Sequence, residues 1–544
     1  MKTSLRHAML SSLLLPSLAV ANAECAPDPV SLSETVQTLA SDDFAGRAPS
    51  SPQEPLVLDY ITSAFREAGL SPAGDMKGTE RLWTQEVSLV RSRTTGPVSV
   101  ALNADGTREV WTQGEEVVIR PAPAGTSTVA IDNAPIVFMG YGVSAPERGW
   151  NDFKGVDLSG KIVLVLVNDP DFEAESGPFG GKAMTYYGRW IYKFEEAARQ
   201  GALGVLIVHE EKAASYGWPI VRNSNMTEQF SIAQKTADNP TQLTGWIQHD
   251  VAAKLIAKAG YDLGTLKAQA SSPGFVPVDL PDVKLDASFA TSHRESKSHN
   301  VVGILPGSKT PAEYLIHSAH WDHMGQRQTS DGNVHIYNGA LDNATGVAAL
   351  IELAKCYGTG PRPDRSVVFL ATTAEEQGLL GSSFYVANPS APLSSTVGLI
   401  NFDILGVYGP ANNVSTFGHA ANTLTDELKE TAQRHGRYFS ADPKPEAGHF
   451  YRSETLPFAR TGVPSLTFSS GDDLLEGGRK AGQAQAAAYI AARYHQPADD
   501  WSPDMRFDGV ASDLMLVYDM SYRLATSDRW PSWYKDSEFA NVRR

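Results

Sequence analysis

The run His317-Ser318-Ala319-His320-Trp321-Asp322-His323 closes an apolar stretch that begins near Tyr314. His320 and Asp322 are two apart, so on an extended chain both side chains point to one face. That spacing suits a metal-binding imidazole beside a carboxylate that orients it. Further on, Gly339-Ala340-Leu341-Asp342-Asn343-Ala344-Thr345-Gly346 precedes Val347, Leu350, Ile351 and Ala354, the apolar face of a helix. Asp342 therefore falls at or just before a helix N-terminus, where a carboxylate is favoured. Taken alone it is a simple cap. Glu375 and Glu376 follow the apolar residues 366–372. Two adjacent carboxylates at the end of such a strand are costly unless a cation is near. One can hold a metal while the other takes a proton from an activated water. Asp403 follows residues 397–402 in the same way, and His495 stands four residues before Asp499, a carboxylate placed to steady it.

His320, Asp342, Glu376, Asp403 and His495 make two imidazoles and three carboxylates. That is too many for one tetrahedral zinc with an open position, and it suits two metals. Two ions about 3.5–4 Å apart can share a water, lower its pKa and clamp a tetrahedral intermediate.

These groups need a scaffold that brings strand ends together. Residues 300–305, 314–318, 366–372, 397–402 and 464–468 read as strands alternating with helices, which predicts an α/β fold with a mixed, mostly parallel central sheet. In open α/β sheets, ligands bind outside the carboxyl ends of the strands, where all five groups lie. Residues 30–70 read as two helices around a turn-rich segment at 46–52. Residues 80–285 read mostly as strands, with one clear helix at 190–200, and a last helix spans 510–524. The division expected is a signal peptide at 1–23, an N-terminal part of the catalytic domain at 24–125, an inserted β-rich domain at 126–285, the main domain at 286–530 and a tail at 531–544.

Composition sets limits on function. The 544 residues hold 46 Lys+Arg against 62 Asp+Glu, a formal charge of −16. Nothing in that balance would neutralise nucleic-acid phosphates. Two cysteines exclude a disulfide scaffold, a Cys-ligated zinc module and an iron–sulfur protein. Cys356 sits on the apolar side of its helix, which favours a buried free thiol over a bond to Cys25. Lys2 and Arg6, the apolar stretch 8–20 and Ala21-Asn22-Ala23 form a secretory signal, which predicts a periplasmic or extracellular protein of charge −18. No other run approaches the ~20 apolar residues of a membrane span. Gly140-Tyr141-Gly142 and Gly303-Ile304-Leu305-Pro306-Gly307-Ser308-Lys309-Thr310 imitate nucleotide loops. The first lacks a following helix and the second is one residue short, so both read as ordinary turns.

The motifs resemble the co-catalytic zinc aminopeptidase family that includes bacterial leucyl aminopeptidase and, more distantly, glutamate carboxypeptidase II and the transferrin receptor. The resemblance covers Ser41-Asp42-Asp43-Phe44-Ala45-Gly46-Arg47 and residues 300–524. Residues 156–165 and 197–208 are similar to a protease-associated domain, a common insertion in this family. The resemblance implies two Zn2+ per chain. His320 and Asp403 would hold one, Glu376 and His495 the other, and Asp342 and a water would bridge them. Asp322 would sit beside His320, and Glu375 would be the general base that later protonates the leaving amine. The segment Arg452-Ser453-Glu454-Thr455 departs from the family's Ser-Asp-His, so the side-chain preference of relatives does not transfer. His449, Tyr451 and Arg452 are nearby candidates for substrate contact. The function implied is an exported aminopeptidase acting on peptides. The alternatives are a dimetal carboxypeptidase or amidohydrolase on the same scaffold, and a non-catalytic receptor-like homologue.

Overall fold

A computed structural model describes residues 25–233, 241–328 and 332–543; the expected signal peptide lies outside the described residues. Four strands, Thr310–His320, Arg365–Thr372, Thr396–Phe402 and Ser465–Ser470, pair in parallel. Arg365–Thr372 and Thr396–Phe402 are buried along their whole length, as their unbroken Val/Leu/Ile/Phe content requires of strands covered on both faces. The helices Thr345–Thr359 and Phe507–Ala525 supply part of that cover. The architecture is the mixed, mostly parallel α/β sheet read from the sequence. Register brings the strand ends level. His320 lies opposite Thr372, and Phe402 opposite Phe468, so the carboxyl ends of these strands share one edge of the sheet.

Two antiparallel strands exceed anything the sequence pattern announced. Thr84–Ala104 has 21 residues and Val278–Leu305 has 28. At its C-terminal end Val278–Leu305 pairs with Arg365–Thr372; towards its start it pairs with Thr128–Phe138. One sheet thus runs from Tyr438–Phe439 at one edge to Val117–Ile119 at the other. Within residues 126–285, the strands Thr128–Phe138, Ile162–Leu166, Gly204–His209 and Leu243–Gln248 are themselves parallel. The helices Trp190–Arg199 and His249–Lys258 pack in the same region. Apolar residues gather in two large cores. One joins residues 25–70 to residues 301–539 and the other lies within residues 100–289. Gly303 to Thr310 is the turn between Val278–Leu305 and Thr310–His320, with no helix after it.

The free thiol expected at Cys356 is corrected: Cys356 is bonded to Cys25. The helices Pro29–Leu39 and Thr345–Thr359 pack together, and that contact carries Cys25 to a position against the helix of Cys356. Cys356 is buried as its helix face predicts, but a sequence separation of 331 conceals its partner. Among the described residues no helix is long and apolar enough to cross a membrane.

Candidate metal centre

Because the parallel strands end together, their last residues converge. His320 is the last residue of its strand, and Asp403 follows directly on Thr396–Phe402. His320 Nε2 lies 3.3 Å from Oδ1 of Asp403 and 3.4 Å from Oδ1 of Asp342. The other oxygen of Asp342, Oδ2, lies 3.2 Å from Nε2 of His495, which is 3.3 Å from Oε2 of Glu376. Asp342 therefore faces one imidazole with each oxygen. Ligand atoms of His320, Asp342 and Asp403 could close on one ion, and those of His323, Asp342 and Glu376 on another.

The loop that carries Asp342 is held from outside. Asp342 falls in the turn Ala340–Ala344 that opens into the helix Thr345–Thr359. The guanidinium of Arg47 is buried, with its pKa lowered by burial to about 10. It donates to the carbonyls of Trp321 (2.9 Å), Asn338 (2.5 Å) and Gly339 (2.8 Å) and so ties the His320 strand end to the Asp342 loop. Asp499 also serves that loop. It accepts from the amides of Leu341 and Asp342, so its position four residues after His495 supports Asp342 rather than His495.

Asp322 lies past the end of its strand, where the alternation of faces stops. Nδ1 of His320 meets the Asp322 carbonyl at 3.1 Å, while the carboxylate is 3.9 Å away. The Asp322 carboxylate instead accepts the amide of Glu375 at 3.0 Å, fixing the turn that presents Glu375 and Glu376. Burial raises Asp322 to about 7, with the His320 charge opposing. Burial also raises Glu375 well above the usual carboxylate range, and Glu376, Asp403 and Glu454 add to the rise. For His495, burial works against the charged ring, but Glu376 and Asp342 outweigh it and push the pKa up to about 9. A buried set of Asp322, Asp342, Glu375, Glu376 and Asp403 has too few native cations around it. Its chemistry, hard oxygens mixed with imidazole, is that of a site for borderline divalent metals.

The three expected substrate contacts are placed differently from one another. His449 stacks on Phe417 with ring centres 4.4 Å apart and contacts Asp442 at 3.2 Å. The Tyr451 hydroxyl donates to Glu538 of the C-terminal segment at 2.6 Å. Arg452 has no hydrogen bond or ion pair to the described residues, and its charge bears on His495 and on buried Arg189. Glu454 is fully buried and accepts from the Thr372 hydroxyl at 2.5 Å. Sequence reading passed over two contributors. His323 stood unremarked at the end of a motif already read, and Arg47 is a lone basic residue whose partners are all backbone carbonyls, which leave no trace in sequence.

A mostly parallel α/β sheet with an imidazole–carboxylate cluster at its strand ends defines a scaffold with a candidate metal site. Residues 300–517 match the model of Peptidase family M28. The chain is similar to a probable zinc metalloprotease of Pyricularia oryzae, 30% identical over 254 residues that cover 44% of this chain and 49% of that protein. Leupeptin-inactivating enzyme 1 of Streptomyces exfoliatus is 28% identical over 253 residues, 43% of this chain and 53% of that protein. Aminopeptidase YwaD of Bacillus subtilis is 29% identical over 180 residues, 32% of this chain and 36% of that protein. The chain spans about half the length, or less, of these relatives.

Proposed function

We propose that this protein is an exported aminopeptidase that binds two zinc ions and removes N-terminal residues from peptides. The observation that carries the reading is Asp342, whose two oxygens face His320 and His495 separately, as a bridging carboxylate must. His320 and Asp403 would hold one zinc, Glu376 and His495 the other. Bound there, the metals would supply a Lewis acid and a water acidic enough to attack near neutral pH. The remaining chemistry belongs to the chain. Glu375 is held in place by the hydrogen bond its backbone amide donates to the Asp322 carboxylate, and is the base that takes the proton of the attacking water. It then returns that proton to the leaving amine. Asp322 keeps the 375–376 turn in register with His320. Two cations at the site would lower the pKa of Glu375 and leave it ionised for this work.

Export is supported by the Cys25–Cys356 bond, since disulfides persist in oxidising compartments, and by the signal-like residues 1–23. The inserted region 126–285, which supplies most of the core spanning residues 100–289, is read as the protease-associated domain. The test uses aminoacyl and peptidyl chromogenic substrates with free and blocked amines, with and without chelator. Zinc-dependent cleavage of only the free-amine set is expected; chelator-insensitive cleavage, or none, overturns the reading.

One observation favours the carboxypeptidase alternative. Buried Arg189 and half-buried Arg452 have no carboxylate partner among the described residues, and burial, then the charge of Arg452, lowers the pKa of Arg189. Arg452, whose charge reaches His495, and Arg189 beside it could receive a substrate carboxylate. Under that reading Arg452→Ala would slow cleavage of free-carboxylate peptides far more than of their amides.

A further inference from the structure

We propose that His323 is a metal ligand of the pocket between Asp342, Glu376 and His495, giving that pocket two imidazoles; the inference rests on the two-metal reading above. His323 is completely buried, and its Nδ1 lies 2.6 Å from Oε1 of Glu376. The contact is off the hydrogen-bond axis. Nδ1 and Nε2 of His323 and Oε1 of Glu376 are all buried without a hydrogen-bond partner. Lone pairs buried in this way are costly unless something accepts them, and a cation shared by imidazole and carboxylate does so. Ligand atoms of His323, Asp342 and Glu376 all lie within 4.8 Å of one another, the spread expected of donors around one ion.

A packed core histidine is the competing explanation, and His317 shows what that looks like. Its two ring nitrogens are also unpartnered, but the ring is stacked between Phe369 and Phe402. His323 instead faces two carboxylates and sits edge-on to the ring of His495, 5.9 Å away. Its position is fixed from behind. The His323 amide donates to the carbonyl of Arg47 at 3.2 Å. A Cβ on Gly339 would come within 2.6 Å of Cγ and Cδ2 of the His323 ring, so only glycine lets the ring lie there.

The two imidazoles of this pocket differ in kind. His495 stands on a loop with its side chain about one-third exposed (34%), whereas His323 is rooted beside the sheet and has no exposure. The pocket therefore has one donor built into the scaffold and one on its open side. The other pocket, formed by His320, Asp342 and Asp403, has a single imidazole. The nitrogen-richer pocket should fill first and empty last.

The test is metal binding by the purified full chain. Apoprotein is titrated with zinc against a chromophoric chelator for wild type, His323→Asn, His495→Ala and Asp403→Ala. Wild type should bind two ions. Losing a direct ligand should weaken one site by more than the ~10–100-fold typical of removing an outer-shell partner, and in His323→Asn the weakened site should be the tighter one. Asp403→Ala should spare that site. If wild type binds fewer than two ions, the two-metal reading itself fails. If wild type binds two and His323→Asn binds both as tightly, His323 is no ligand and the reading stands. Should His323→Asn not fold, X-ray absorption of the zinc-loaded wild type decides the matter. Three imidazoles shared by two ions support the assignment, and two overturn it.

Discussion

Both carboxylate oxygens of Asp499 are engaged by the backbone of the loop that carries Asp342: the Leu341 amide donates to Oδ1 at 3.2 Å and the Asp342 amide to Oδ2 at 3.1 Å. The Tyr489 hydroxyl donates to the same Oδ2 at 3.2 Å. A carboxylate that is itself too deep to meet substrate thus aims the residue facing both imidazoles.

Asp499→Asn keeps the volume but replaces one acceptor by a donor that would confront a backbone amide. Metal affinity should fall ~10–100-fold, the usual range for an outer-shell partner. Chelator competition on the purified variant measures it; unchanged affinity would mean the loop holds its shape without Asp499.

Glu375 contributes no atom to the two clusters around Asp342. Glu375→Gln should therefore retain both zinc ions and near-normal KM while kcat falls ~10²–10⁴-fold. Steady-state kinetics and elemental analysis of one preparation give both readouts, and a loss of zinc in step with activity would reassign Glu375 as a ligand.

The Cys25–Cys356 bond closes a loop spanning most of the chain. Chain-entropy arguments give a loop of this size about 6 kcal/mol of stabilisation as an upper figure. Reduction, or Cys25→Ser with Cys356→Ser, should lower the melting temperature and release the helix Pro29–Leu39 before the sheet. Hydrogen exchange on that helix reports the order of release.

His317 predicts an acid limb. Burial holds its pKa down to about 3, against ~6.5 in an unfolded chain. Above pH 6.5 neither state binds the proton. Below it, the unfolded chain takes up a proton that the folded chain refuses, so stability drains away as pH falls towards 3, by at most ~1.4 kcal/mol per unit. His317→Phe should flatten this limb in denaturant titrations across pH 3–7 and leave the alkaline side untouched.

The parts of the site readable in sequence share one property: each stands at the end of an apolar strand or the start of an apolar helix. Periodicity locates such ends, and parallel pairing turns four separate ends into one place. What was not readable depends on contacts without side-chain signatures. Arg47 binds carbonyls, Asp499 binds amides, and Cys25 meets Cys356 only after two helices dock. His323 was hidden for another reason. The strand stops at His320, so the alternation that oriented its neighbours no longer applied three residues later. The long strands escape sequence reading because their middles, such as 291–299, are polar and only partly buried, with little apolar alternation to count.

That polar middle has a mechanical meaning. Between the two cores, Val278–Leu305 continues without a break, and over residues 291–299 it is laddered to Thr84–Ala104. No swivel separates the halves. Movement of one core over the other must bend or twist a hydrogen-bonded ribbon, which returns elastically. A glycine or proline placed in it would weaken that elastic return and leave the two cores freer to shift against each other.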